Sequence, residues 1–439
     1  NNLTINDTAV NAFFKYKYIP EPFSIYNEIK KLPAGHWGKF DLNSGSLVIN
    51  KYWTISNDIK EYKLDYEDAK DQLKTLLKSA VNHRLISDVP LGVFLSGGID
   101  SSLIAALAQN SSSEKINTFC VKFDSPKHDE SNHAQQIANH IGTNHTTISC
   151  SLKEASNLIQ TLPESFDEPF SDASAIPSLL LSKVTREYVT VALSGDGGDE
   201  SFLGYNRYDY INKYKNIFKL PLALRKQVAQ LMKSTRIEKF DLISSILKEP
   251  DIGRFYHRMM QPINQSYFNG NSSQSLFNHS EYLESSNKSM ENIGLFDLKT
   301  YLPDDINVKI DRATMRFSLE ARAPFLDYRV IEFANRLPLD FRYQKGNKKK
   351  ILKDILYDFV PKHMLDRPKK GFTMPLDIWF RTNLKEWVMD NLTDKNLALI
   401  PNINVAVVKN QIDDHMKGKS NRHNMIWKLL VYQMWSERN

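Results

Sequence analysis

The hydrophobic pattern of the chain first resolves into a helix. Leu73, Leu76, Leu77, Ala80, Val81 and Leu85 recur at the three-and-four spacing of one helical face. "VPLGVFL" (Val89–Leu95) follows as a short buried strand, and "SSLIAALAQN" as a helix ending at a polar loop. The alternation then repeats. "INTFCVKF" predicts a second strand. "ESNHAQQIANHIG" predicts a helix with Ala134, Ile137, Ala138 and Ile141 inward and Gly142 as its stop. "HTTIS" and "YVTVAL" (Tyr188–Leu193) predict a third and a fourth strand. Strands alternating with helices predict an α/β fold, a parallel sheet flanked by helices. From about Tyr208 to Trp435 the pattern is largely helical, and no internal repeat or low-complexity tract interrupts it.

The stretch before Trp53 has a different texture, aromatic and proline-rich. Within it "LPAGHWGKFDLNSGSLVIN" predicts two short strands joined by the turn "NSG". It is too short for a core of its own, and its aromatics read as the edge of a larger unit. The polar "SNDIKEYKLD" then reads as a linker. The whole chain, 439 residues, is long enough for a large core and more than one domain. It opens on Asn1-Asn2 rather than Met, so an N-terminal part is expected to lie outside it.

Composition narrows the function. At 41% hydrophobic and 25% charged the chain has ordinary soluble composition. A net charge of +6 suits anionic small ligands and is too weak an excess to argue for nucleic acid. No apolar run reaches the roughly 18 residues of a spanning helix, and no signal peptide is visible. A cytoplasmic protein without a membrane partner is expected. Cys120 and Cys150 make neither a disulfide framework nor a zinc site, and are expected to be reduced core thiols.

Chemistry concentrates where strands end. "FLSGGIDSS" (Phe94–Ser102) joins the first predicted strand to a helix. Its glycines allow a sharp turn with inward N–H groups, and the helix adds its positive end. Ser96, Ser101 and Ser102 add donors, and Asp100 is suited to a magnesium ion shared with phosphate. No lysine follows the glycines as in GxxxxGK[ST], so the nucleotide chemistry differs from that of ordinary kinases and ATPases. A second such loop, "LSGDGGDESFLGYNRY", follows the fourth strand with Asp196, Asp199 and Glu200. Acids beside a phosphate site make sense if they hold magnesium or a substrate amine. A solvated turn would explain one such loop, but two after strands of one sheet favour a site. In "DINVKIDRATMRFSLEARAPFLD" (Asp305–Asp327) arginines and acids interleave with apolar residues, which reads as a buried helix whose charges must be paired. There a structural ion-pair network stands equal to a functional role for any one residue. "LDRPKKGFTMPLDIWF" carries Lys369 and Lys370 between Pro368 and Gly371. It reads as a solvated basic loop in isolation, and beside the others as a point charge for pyrophosphate.

Taken together and in order, these stretches resemble the glutamine-using asparagine synthetases in their synthetase domain. "RLISDVPLGVFLSGGIDSS" is similar to the family's pyrophosphate loop and "TFCVKF" to its adenine-side strand. "LSGDGGDESFLGY", "DRATMRFSLEARAPFLD" and "RPKKGFTMP" are similar to three further signatures. The resemblance runs from about Trp53 to the C-terminus. It implies an adenine nucleotide alpha-hydrolase-like fold of the PP-loop ATP pyrophosphatase kind. It also implies a division into residues 1–53, the remnant of an N-terminal glutaminase (amidotransferase) domain, and 54–439, the synthetase domain. The glutaminase nucleophile of that family is an N-terminal cysteine. Residue 1 is Asn here, so that half is expected to be cut off or encoded separately.

Carried over, the resemblance implies that Ser96, Gly97, Gly98, Asp100 and Ser101 hold the pyrophosphate end of ATP, with Asp100 and Asp199 on Mg2+. It implies that Leu95 and Val121 line the adenosine, that Ser194 and Gly195 contact the nucleotide, and that Asp196 lies near the acyl substrate. Tyr205 and Asp311 would shape the acyl site, and Lys369 would bind polyphosphate. The implied reaction is ATP-dependent amidation of aspartate to asparagine through β-aspartyl-AMP, releasing AMP and pyrophosphate. Ammonia would come from glutamine where the glutaminase domain is present. The partners are then aspartate, ATP and ammonia or glutamine, with a homodimer left open. Related acyl-adenylate enzymes making β-lactams, cyclic peptides or amidated surface sugars share the fold. RNA-modifying enzymes share the pyrophosphate loop but usually add cysteine pairs or an RNA-binding module, absent here. A non-enzymatic binding protein would be expected to lack Asp100, Asp199 or Lys369.

Overall fold

The computed structural model describes residues 3–56, 60–123, 129–233, 244, 246–260, 267–269, 289–365 and 374–438. Its centre is a five-stranded sheet. The strands are β3 (Leu91–Phe94), β4 (Asn117–Phe123), β5 (Asn144–Cys150), β6 (Val191–Leu193) and β7 (Glu320–Arg322), in the spatial order β5-β4-β3-β6-β7. Every neighbouring pair is parallel. The chain steps outward from β3 through β4 to β5, then returns to the other side of β3 for β6. That reversal leaves a crevice beyond the carboxyl ends of β3 and β6, where open α/β sheets bind ligands.

Two-residue alternation sorts the strand side chains into two apolar layers. Val93, Leu95 and Cys120 join one core with α2 (Tyr66–Leu85), α3 (Ile99–Asn110) and α4 (Ser131–Ile141). Phe94, Phe119, Val121 and Phe123 join the other with α5 (Leu152–Ser165) and α6 (Ala175–Thr185). Helix α2 begins before its apolar stripe because the Asp65 side chain accepts the Asp68 N–H. Neither cysteine is in a disulfide, and both are buried. Among the described residues no helix is long and apolar enough to cross a membrane.

The N-terminal stretch divides in two. Helix α1 (Asp7–Tyr16) is capped by Asn6, whose side chain accepts the N–H groups of Thr8 and Ala9. Its Phe13 and Phe14 are buried in the second core, against Tyr432 of a later helix. Lys31 pairs with Glu168, and the Glu21 N–H donates to Asp304 at 3.0 Å. The aromatics of α1 therefore belong to the main body. The expected hairpin, β1 (His36–Phe40) and β2 (Leu47–Lys51), is antiparallel and exposed, with Trp37 and Phe40 on its surface.

One expectation needs correction. Residues 305–327 are not a single buried helix. A π-helical turn (Leu302–Asn307) leads into a helix (Val308–Met315), then β7, then a 3-10 turn (Pro324–Leu326). The arginines are paired as expected, but outward: Arg312 to Asp167 and Arg316 to Glu164. Arg322 in β7 pairs with Glu320 and donates to the carbonyls of Arg84 and Ile86, satisfying the end of α2. A three-residue charged strand at a sheet edge carries no apolar alternation to read.

Candidate functional site

The two glycine-rich loops leave adjacent strands. Beyond β3, Gly97 turns at φ +74°, a left-handed conformation that glycine adopts freely, and Gly98 opens α3 without a side-chain cap. The serines fold the loop on itself. The Ser96 N–H donates to Ser101 Oγ at 3.2 Å, the two hydroxyls lie 3.0 Å apart, and the Gly98 N–H donates to Ser96 Oγ at 3.3 Å. The result is a concave turn at a helix N-terminus, a form that suits phosphate.

Beyond β6, Ser194–Gly197 leads into the one-turn helix α7 (Gly198–Ser201). It meets the first loop at glycines. A Cβ on Gly195 would stand 2.9 Å from the Ser101 nitrogen and 3.0 Å from Asp100 Cβ. One on Gly198 would stand 2.6 Å from Asp100 Oδ1. The expected nucleotide residues Ser96, Gly97, Gly98, Asp100, Ser101, Ser194 and Gly195 are thus brought together. Gly195→Ala should wedge the loops apart, cost about 1–3 kcal/mol as overpacking does, and slow ATP turnover. Thermal melting and a nucleotide-consumption assay check this, and wild-type values in both would show that the close approach is dispensable.

A residue the sequence reading missed joins the loops. Lys349 is 4% exposed and its Nζ contacts both Asp100 and Asp199, the latter at 2.6 Å. It sits at φ +53°, immediately before α9 (Lys350–Leu356), a helix that comes after α8 (Val308–Met315) and β7 in the chain. Burial opposes its charge, but the two carboxylates overcome that and hold its pKa above the ordinary lysine value. The chemistry of the pair also fits Mg2+, which takes one or two carboxylate oxygens and completes its shell with phosphate and water. Among the described residues no three or more His, Cys, Asp or Glu side chains converge on one point. A metal at Asp100 and Asp199 would therefore depend on the nucleotide for its other ligands.

The remaining candidates are Asp196 within the second loop, Tyr205 after it, Asp311, Leu95, Val121 and Lys369. Burial raises the Asp196 carboxyl above its usual range, opposed by Lys309 and the Ser194 hydroxyl. Tyr205 donates to Glu200, which is 1% exposed and pushed up to about 7 by burial and then by the charge of Asp199. The Arg207 guanidinium lies 3.8 Å from the centre of the Tyr205 ring and 4.6 Å from that of Tyr301, and bonds to buried Asp297 at 3.0 Å. Tyr205 is therefore clamped on a face and at its hydroxyl. Asp311 is exposed on α8, whereas Lys309, two residues before it, is paired with Asp172 at 3.1 Å. Leu95 and Val121 belong to different apolar layers. Lys369 lies outside the described residues.

A family model described as asparagine synthase matches residues 72–437. The chain is 29% identical over 448 residues to glutamine-hydrolyzing asparagine synthetase 1 of Bacillus subtilis, covering 100% of this chain and 70% of that one. It is 30% identical over 203 residues to glutamine-hydrolyzing asparagine synthetase B of Escherichia coli, covering 40% of this chain and 34% of that one. Among solved structures, NH3-dependent NAD synthetase from Campylobacter jejuni aligns at 13% identity over 46% of this chain and 100% of that one. The TM-score of that alignment is 0.24.

Proposed function

Because the chain belongs to the asparagine synthase family, whose members are ATP-dependent amide-forming ligases, we propose that it amidates aspartate by way of β-aspartyl-AMP. The observation that carries this reading is the contact of two phosphate-type loops at one sheet crevice, with acids and a buried lysine between them. The side-chain carboxylate of aspartate attacks the α-phosphorus of ATP, and the bond to pyrophosphate breaks. Ammonia then attacks the acyl carbon, AMP leaves, and the nitrogen loses a proton. The α3 amides with Ser96 and Ser101 receive the departing pyrophosphate, whose growing charge is met by fixed donors that need not reorganise. Asp100 and Asp199 would hold Mg2+, which supplies charge neutralisation at the phosphates. Asp196, with Tyr205 and Glu200, bounds the acyl side. AMP is a good leaving group, so the second step needs little acid catalysis.

The first loop lacks the lysine of kinase-type phosphate loops, and the expected nucleotide products are AMP and pyrophosphate. Chromatography of the nucleotides after incubation with aspartate and ammonium checks this. ADP with inorganic phosphate would sink it.

The nitrogen donor gives a separate test. Glutamine hydrolysis needs an activated nucleophile. Cys120 and Cys150 are buried, and burial pushes the Cys120 thiol up to about 11. The purified 439-residue stretch is expected to make asparagine from ammonium and not from ammonia-free glutamine. Its rate should rise with pH as ammonium deprotonates. Robust glutamine-dependent synthesis by this stretch alone would overturn the expectation.

A further inference from the structure

A thiol and an imidazole meet on the two strands at one edge of the main sheet. Strand β5 is the outer strand there and pairs in register with β4. Thr118 stands opposite His145, and Cys120 stands opposite Thr147. The four side chains therefore share one face, the face whose apolar layer Cys120 joins with α3 and α4. Cys120 Sγ lies 3.4 Å from His145 Nε2 and 3.6 Å from Thr147 Oγ1. Cys120 is 4% exposed, whereas His145 is half-buried and Thr147 is exposed.

A chain of hydrogen bonds fixes which ring nitrogen carries the proton. The Thr143 hydroxyl donates to the Ala138 carbonyl at 3.4 Å. A hydroxyl has one proton to give. Thr143 therefore accepts from the Thr118 hydroxyl at 2.9 Å, and Thr118 accepts from His145 Nδ1 at 2.9 Å. The proton of the neutral ring is on Nδ1, and Nε2 presents its lone pair to the sulfur. Burial keeps the ring neutral, lowering its pKa to about 4, and pushes the Cys120 thiol up to about 11. At neutral pH a protonated thiol thus faces a bare nitrogen.

We propose that Cys120 and His145 form a binding site for one thiophilic divalent cation of the Zn2+ class, with water completing its shell on the side open at Thr147. Sulfur and imidazole nitrogen select such a cation over Mg2+, which takes oxygen. Tetrahedral zinc, with sulfur at about 2.3 Å and nitrogen at about 2.0 Å, holds those two atoms about 3.5 Å apart. The separation found here is 3.4 Å. On binding, the S–H bond breaks, the metal–sulfur bond forms, and the proton leaves to water. The Nδ1–Thr118 bond is the kind of outer contact that aims a metal-binding imidazole. The cysteines are not spaced as a zinc motif, and the second ligand comes instead from an imidazole that strand pairing brings alongside. A thiol hydrolase uses the same order of nucleophile, imidazole and orienting group, but a sulfur so enclosed admits an ion and not an acyl group. The site is independent of the amidation reaction.

Co2+ serves as the probe, because thiolate coordination gives it an ultraviolet charge-transfer band that oxygen and imidazole ligands do not. Titration of the reduced protein should raise a saturable band at one Co2+ per chain. Zn2+ should displace it, and excess Mg2+ should not. Only Cys120 and Cys150 can supply the sulfur. Cys120→Ala should abolish the band, and Cys150→Ala should leave it. His145→Gln should weaken Co2+ binding at least about tenfold, and Thr118→Val, which removes the outer contact, about tenfold. The absence of a saturable band, a band that survives Cys120→Ala, or full affinity in His145→Gln would show the pair to be a buried thiol–imidazole hydrogen bond alone, and would overturn the proposal. Should Cys120→Ala not fold, loss of the band in Cys150→Ala overturns it equally.

Discussion

Lys349→Met should cost about 3–5 kcal/mol of stability, the range for a buried charge pair that loses one member, and should lower turnover at least about 100-fold. The lysine is buried and bridges Asp100 and Asp199, so its loss leaves two carboxylates facing each other in a poorly solvated site. The same loss makes that site a better one for a divalent cation. Mg2+ should therefore raise the melting temperature of the variant by more than it raises that of wild type. Melts with and without Mg2+, at constant ionic strength, measure the difference. Equal shifts in both proteins would show that the two aspartates do not form a cation site.

Lys369→Ala should also reduce turnover at least about 100-fold, as removal of one oxyanion-type contact does, with little change in melting temperature. The expectation comes from "RPKKGF", where Pro368 and Gly371 bracket two lysines. A lysine between proline and glycine is expected to contribute little packing, and its value here would lie in meeting the charge on pyrophosphate. Lys370→Ala should have a much smaller effect. Steady-state pyrophosphate release by the two variants separates them, and like behaviour would show that the role has been given to the wrong residue.

The sequence made the local parts of the site readable. Each glycine-rich loop announces itself by glycine, serine and acid directly after an apolar run. What it could not show is adjacency. Val93 pairs with Leu193 across the sheet, and nothing in either strand names the other. Lys349 was hidden for a different reason. It is one of four lysines in "NKKKILKD", and it alone of the four has a left-handed backbone, at the turn that enters the helix. Asp172 sits in "FSDASAIP", which reads as an ordinary loop before a helix, and its partner Lys309 lies on a distant helix. Charged pairs formed across long separations leave no periodic signature. The π-helical turn also escaped, because one wider turn does not disturb the spacing of apolar residues enough to be noticed. Strand β7 was lost to brevity, and α1 to the assumption that an aromatic stretch without its own core must belong elsewhere.

The place of α1 in the core has a consequence for how the chain is made. Lys428 donates to the Phe14 carbonyl across 414 residues, and Tyr432 covers Phe13 and Phe14. At a synthesis rate of about 5–20 residues per second, the two phenylalanines emerge roughly 20–80 s before the helix that buries them (His423–Ser436). For that interval the Phe13–Phe14 face of α1 lacks the cover that Tyr432 gives it. The emergence of His423–Ser436 therefore decides when α1 ceases to be a client for chaperones that bind exposed aromatic segments.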